Sequence, residues 1–351
     1  MGMPEIKVLF ESLASSAWRR SSKGIVALVI SDTTSKNSSY EFKKFTDINS
    51  EDFTEENYDN LKLAFLGNPS KVIVEVLKSP EVLSAALNRL SYKKFDYLAV
   101  PSITTDETES VKTYILQQRA IRKIYKAVLP NTSADDESII NFTTTGIKAY
   151  GKSFTTGQYC CRIAGLLAGL PMTMSCTYYV LPEVEEIKEH SDPDTDIDAG
   201  KLILVNDGEK IKIGRGVNSL VTTTKTKNIE FKKIKIVETL DMIKQDIIKT
   251  FEDEYVGKIS NTYDNKTLFL SNVNTTYLRN LQREGILDHD ADAYLEINLD
   301  AHIKYLEDKG INTDDMAEMQ IKKANTGSNV FTKGKVTPVD AMEDLDCIFY
   351  M

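Results

Sequence analysis

Gly24-Ile25-Val26-Ala27-Leu28-Val29-Ile30 is a continuous apolar run that stops at Ser31-Asp32-Thr33-Thr34. Such a run suits a strand buried on both faces, as in a parallel sheet covered by helices. Lys71-Val72-Ile73-Val74-Glu75-Val76-Leu77 repeats the pattern, and Tyr97-Leu98-Ala99-Val100 before Pro101 supplies a third strand. Between the second and third, Val82-Leu83-Ser84-Ala85-Ala86-Leu87-Asn88-Arg89-Leu90 has helical spacing, with Ser79 placed as N-cap and Pro80 at the first helical position. Residues 111–125 read as another helix and Ile139-Ile140-Asn141-Phe142 as a fourth strand. Strands alternating with helices predict an α/β domain with a mainly parallel sheet.

Further along, residues 158–170 form a helix dense in small residues, Ala164, Gly165, Ala168 and Gly169. Glycine inside a helix costs about 1 kcal/mol relative to alanine, so a close packing contact is expected, here against the sheet. Leu202-Ile203-Leu204-Val205 and Lys210-Ile211-Lys212-Ile213 flank Asp207-Gly208, a strong hairpin signal. Residues 222–228 turn polar and basic, which places a domain boundary there. Beyond it come an amphipathic helix over 234–255, a helix over 274–284 ending at Gly285, and a strand over 294–298. Helices over 302–306 and 313–324 and a strand over 329–331 complete a smaller α+β domain.

With 351 residues, two domains are the expectation. The net charge of −9, from 52 acidic and 43 basic residues, argues against a nucleic-acid partner, which needs a basic face. Cys160, Cys161, Cys176 and Cys347 have no framework spacing and read as reduced, which fits synthesis in a cytoplasm. The start lacks the pattern of a signal peptide, and the apolar run over 163–174 contains Pro171 and is too short to span a bilayer, so membrane insertion is not expected.

One motif points to chemistry. Gly146-Ile147-Lys148-Ala149-Tyr150-Gly151-Lys152-Ser153 matches the phosphate-binding loop, and the alternative reading is therefore a P-loop nucleotide-binding hydrolase. That loop requires a helix starting directly after its Lys-Ser, yet Phe154-Thr155-Thr156-Gly157 intervenes. Asp192, Asp194, Asp196 and Asp198 alternate like a calcium loop but lack its turn glycine and its twelfth-position Glu, which leaves a solvated acidic loop. His190, His289 and His302 show no metal-ligand spacing. No catalytic residue, cofactor or metal is expected, and the chain does not read as an enzyme.

Both ends instead read as apolar strands: Ile6-Lys7-Val8-Leu9-Phe10, and Leu345-Asp346-Cys347-Ile348-Phe349-Tyr350-Met351. Unpaired strands invite pairing with another chain. Ile6, Val8, Phe10, Leu345, Cys347, Ile348, Phe349 and Tyr350 are thus candidate inter-subunit residues. Burying a large apolar side chain yields ~1.5–3 kcal/mol, while ordering each residue costs ~1–2 kcal/mol of backbone entropy. One arm alone is marginal; many in a lattice act together.

The chain resembles the tail sheath proteins of contractile phage tails and phage-tail-like bacteriocins. The resemblance rests on Pro4-Glu5-Ile6-Lys7-Val8-Leu9-Phe10 with Ser21-Ser22-Lys23-Gly24-Ile25-Val26-Ala27, on Arg162-Ile163-Ala164-Gly165-Leu166-Leu167-Ala168-Gly169, on Arg215-Gly216-Val217-Asn218-Ser219-Leu220, and on Val339-Asp340-Ala341-Met342-Glu343-Asp344. It implies an arm and linker over 1–23, a subtilisin-like, non-catalytic α/β domain over 24–228, a smaller tube-facing α+β domain over 229–338, and a C-terminal arm over 339–351. It also implies a helical homopolymer of stacked hexameric rings around an inner tail tube, contraction that drives the tube through a cell envelope, and contacts with baseplate and tail terminator proteins. Assembly in the bacterial host cytoplasm precedes release as a virion tail or bacteriocin particle. Lys232, Lys233 and Lys235 are the basic residues expected to face the tube.

Overall fold

The computed structural model describes residues 24–351, in two compact units. The N-terminal arm strand with Ile6, Val8 and Phe10, and the linker behind it, lie outside the described residues.

The larger unit runs to Asp241 and includes Asp340–Met351. Its elements are β1 (Ile25–Ser31), β2 (Ser39–Phe42), α1 (Glu55–Phe65), β3 (Lys71–Leu77), α2 (Leu83–Leu90), β4 (Tyr97–Ala99), α3 (Thr105–Ala120), β5 (Lys126–Pro130) and β6 (Ile139–Phe142). There follow β7 (Ile147–Ala149), β8 (Lys152–Phe154), α4 (Thr156–Gly169), β9 (Val184–Glu186), α5 (Pro193–Asp198), β10 (Lys201–Leu202), β11 (Leu204–Asn206) and β12 (Ile211–Ile213). A seven-stranded sheet has the order β10-β6-β5-β4-β1-β3-β2, parallel except for β2 at one edge. Alternate side chains of β1 enter two cores, Val26, Leu28 and Ile30 one and Ile25, Ala27 and Val29 the other. That two-sided burial is why β1 is a continuous apolar run.

The expected strands over 25–30, 71–77, 97–100 and 139–142 are all present, whereas β5 has no counterpart among the expected elements, and the helix expected over 111–125 ends early. The helix stops at Ala120, and Lys126 opens a buried strand with its ammonium 2.9 Å from Asp241 and 3.1 Å from Glu238. A second correction concerns the glycine-rich helix α4. Gly165 and Gly169 face α1 and the turn after it, not the sheet: a Cβ at Gly165 would overlap the Ala64 carbonyl, and one at Gly169 would overlap that of Gly67. The N-cap of α2 is Val82, whose side chain offers no cap, and not Ser79. The Asp207-Gly208 hairpin joins β11 and β12 as expected; the Asp207 carboxylate accepts from the backbone of Glu209 and Lys210, and Gly208 takes φ +92.

The second unit, Met242–Val339, begins inside a long helix, α6 (Ile234–Glu254). It continues through α7 (Tyr263–Asn272), a π-helical turn (Val273–Leu278), α8 (Arg279–Arg283), β13 (Tyr294–Ile297), α9 (Leu299–Asp308), α10 (Glu318–Lys323) and β14 (Thr332–Lys335). β13 and β14 form a two-stranded antiparallel sheet. The strand expected over 329–331 lies a few residues later, and α10 is shorter than expected. Residues 229–241, expected in the second domain, pack with the first unit. Val217 bridges to Lys233, Ile234 N–H donates to the Gly216 carbonyl at 3.0 Å, and Glu238 accepts from Tyr97 Oη at 2.5 Å.

Candidate assembly surface

The C-terminal segment is held to the larger unit by charge. Arg215 follows β12 and Gly214. Next comes Gly216, so close to Cys176 that a Cβ would stand 2.8 Å from its Sγ. The succeeding residues form a buried strap: Asn218 Nδ2 donates to the Phe231 carbonyl at 2.7 Å and Ser219 Oγ to the Asp136 carbonyl at 2.8 Å. This strap fixes Arg215 on one side and Lys233 on the other. Lys233 pairs with Asp340 and lies 3.5 Å from Glu343; Arg215 pairs with Asp344 and lies 3.8 Å from Glu343. Ser175 Oγ and Thr177 Oγ1 donate to Glu343 Oε1 at 3.1 and 2.5 Å. The Glu343 side chain is only 6% exposed, so an acidic side chain is buried in a clasp of two cations and two hydroxyls. Burial works against the Lys233 ammonium, but Asp340 and Glu343 outweigh it and raise its pKa.

Past the clasp the character inverts. Leu345, Phe349 and Tyr350 are 91%, 87% and 91% exposed, Ile348 is exposed as well, and residues 345–351 carry neither helix nor strand. Exposed apolar side chains clustered in this way are a candidate interaction surface. Cys347 lies here as a free, exposed thiol, while Cys160, Cys161 and Cys176 are free and buried.

The basic residues expected to face a tube do not form a patch. Lys233 is engaged in the clasp, Lys235 is 8% exposed with its pKa lowered by burial, and Lys232 is half-buried. All belong to the larger unit, because the strap pairs with the backbone of residues 231–234.

The phosphate-loop match is a β-hairpin. Ala149 pairs with Lys152 across Tyr150 and Gly151, whose φ values of +52 and +70 make a tight turn. Lys152 is held by Glu55 at 2.8 Å and Asp59 at 2.5 Å, and the helix starts only after Thr155, whose hydroxyl accepts from Gln158 N–H at 3.2 Å. No row of backbone N–H groups meets a helix N-terminus at Lys152, so nothing cradles a phosphate there. In the acidic stretch, Asp192 caps α5 and Asp196 binds Lys201 and His190 at 2.7 Å each. Among the described residues there is no cluster of metal-ligating side chains, and no helix is long and apolar enough to cross a membrane.

Comparison with known proteins gives the arrangement its context. Residues 78–219 match the model of the phage tail sheath protein central domain, and residues 226–351 match that of the phage tail sheath C-terminal domain. The tail sheath protein of Clostridium phage phiCD119 is 37% identical over 98% of this chain and 98% of its own. The chain belongs to the phage tail sheath protein family. This sheath chain shares its fold with the sheath tail protein of Listeria innocua, at TM-score 0.67 and 16% identity over 95% of this chain and 99% of that one. It shares it also with the contracted helical sheath of the anti-feeding prophage, at TM-score 0.69 and 11% identity over 100% and 99%. The sheath role is structural, and the hydrolase alternative on residues 146–153 has no support. The Arg-Gly-Val-Asn-Ser-Leu and Val-Asp-Ala-Met-Glu-Asp segments that carried the resemblance are the strap and the clasp. That the two segments bind each other is not legible in the sequence, because Arg215 and Asp344 are 129 residues apart.

Proposed function

We propose that this chain is the subunit of a contractile tail sheath, a helical homopolymer of hexameric rings around an inner tail tube, with baseplate and terminator proteins at its ends. Residues 345–351 act in it as a strand donated to a neighbouring copy, and residues 6–10 act likewise. The observation that carries this reading is the exposure of Leu345, Ile348, Phe349 and Tyr350 beyond a buried clasp. A segment that is anchored at its root and apolar at its tip loses little by waiting for a partner and gains by burial when it meets one. The α/β unit is the non-catalytic, subtilisin-like body of this reading; its parallel central strands support that assignment. Contraction is then a change of lattice packing with the donated strands kept in place, and it consumes no nucleotide. Assembly of sheath and tube takes place in the host cytoplasm, before release.

Deleting residues 345–351 tests this reading. Electron microscopy should show no tubular polymers from a truncated chain whose circular dichroism equals that of the full chain. Intact tubes from the truncated chain would refute strand donation by the C-terminus.

A further inference from the structure

The second unit carries a cavity of about 520 Å³, a size typical of small-molecule sites. Phe251 lies in the last turn of α6 and Tyr255 just beyond it, while Lys266 and Phe269, three residues apart, share one face of α7. The three rings make one surface. Those of Phe251 and Tyr255 are parallel with centroids 5.8 Å apart, and Phe269 meets them edge-on at 5.5 and 4.9 Å. The loop before β14 supplies another part of the wall. The Asn261 carboxamide donates to the carbonyls of Gly327 at 2.7 Å and Asn329 at 2.9 Å, which ties that loop, and with it Val330, to the approach to α7.

Among the described residues that line this cavity, Lys266 alone carries a charge, and it is only 4% exposed. Its ammonium donates to Thr326 Oγ1 at 2.9 Å, and the described residues offer it no other acceptor and no carboxylate. An ammonium has three N–H donors, so two of them have no protein acceptor. Lys126 in the larger unit shows the contrast: comparably buried, it has Asp241 at 2.9 Å and Glu238 at 3.1 Å. Buried charges are ordinarily paired in this way. At Lys266 burial lowers the pKa, with no acid to oppose it.

We infer that this cavity binds a small aromatic monocarboxylate, its ring against Phe251, Tyr255 and Phe269 and its carboxylate on the Lys266 ammonium. A carboxylate brings the acceptor oxygens and the charge that Lys266 lacks. One cation matches one negative charge, whereas a phosphate monoester carries about two and would leave the excess unpaired against apolar walls. Aromatic rings prefer offset-stacked or edge-to-face contacts, and a wall of three rings set parallel and edge-on offers both. All the described lining residues fall within 251–330, so the inference is independent of the strand-donor reading.

Calorimetry on the full chain tests this with benzoate, phenylacetate, phenylpropionate and phenylbutyrate, a series that varies the reach from ring to carboxylate. At least one acid should bind, and the alcohol of the same skeleton should bind about tenfold or more weakly, the loss expected for a hydrogen bond to a charged group. Lys266→Met keeps an unbranched apolar stem and removes the charge. It should weaken the acid to the level of the alcohol and leave the alcohol unchanged. Val330→Trp should fill the cavity and abolish binding of both with Lys266 intact, and circular dichroism checks that each variant is folded. The comparison of acid with alcohol on the wild type needs no variant, so it decides even where a variant fails to fold. No binding by any of the acids at millimolar concentration, or equal binding of acid and alcohol by the wild type, would overturn the assignment. Undiminished acid binding by folded Lys266→Met or folded Val330→Trp would do the same.

Discussion

Asp241 lies 2.9 Å from Lys126 inside the larger unit, across 115 residues of sequence, and Arg119 grips the same carboxylate with two hydrogen bonds of 2.9 and 3.0 Å. Burial alone would raise the Asp241 pKa, but Lys126 and Arg119 outweigh it and hold it below the ordinary 3.8. A depressed folded-state pKa contributes stability that is present above 3.8 and is lost as pH falls through the lower folded value. Asp241→Asn leaves Lys126 buried with Glu238 as its remaining carboxylate partner, at 3.1 Å. The expected cost is about 3–5 kcal/mol, with a shallower acid limb below pH 3.8, measured by denaturant unfolding across pH.

Gly165→Ala tests the contact between α4 and α1. Alanine would gain up to about 1 kcal/mol in helix propensity, but its methyl group would enter the Ala64 carbonyl. Forced overpacking costs about 1–3 kcal/mol, so a net loss of stability is expected in thermal unfolding. A gain would show that the two helices separate freely.

Lys152→Ala tests the hairpin reading of residues 146–153. Its ion pairs with Glu55 and Asp59 are solvent-exposed, and exposed pairs contribute about 0–1 kcal/mol. The unfolding midpoint should barely move, and calorimetry with ATP and Mg²⁺ should give no heat from either wild type or variant.

Thiol reactivity separates the cysteines. Burial pushes the Cys176 thiol up to about 12 and those of Cys160 and Cys161 well upward, whereas Cys347 is exposed. A thiol reagent at pH 8 should label Cys347 alone in the native monomer and all four after denaturation. Assembled polymers should protect Cys347.

Much of the α/β unit was legible because burial on both faces of β1, β3 and β4 demands largely apolar runs, broken inside β3 only by Glu75, which Arg89 and Lys93 neutralise at 2.6 and 2.9 Å. β5 escaped because it opens with Lys126, a residue that reads as solvent-facing until Asp241 and Glu238 are known to neutralise it. β2 escaped too: Ser39-Tyr40-Glu41-Phe42 is an edge strand, and an edge strand needs no continuous apolar pattern. The glycines of α4 announced a close approach, but only the fold identifies α1 as the partner. The apolar terminus was equally legible as a candidate site, whereas its clasp was not, since Arg215, Lys233 and Glu343 meet only through the strap. Asn274, whose carboxamide accepts from Leu295 N–H at 2.7 Å and donates to the Leu295 carbonyl at 2.9 Å, gave no sequence signal, because a carboxamide that imitates a strand looks like any helical Asn.

The clasp has a mechanical consequence. Residues 340–344 are fastened to Arg215 and Lys233, so a pull on residues 345–351 enters the body through those two cations. From there it passes along the strap into the ladder at Ile139, where Ser219 N–H donates to the carbonyl at 2.9 Å, and into the start of α6. If residues 345–351 are donated to a neighbour as proposed, tension between subunits would be carried into the hydrogen-bonded parallel sheet, and residues 340–344 would act as a tether and not a hinge.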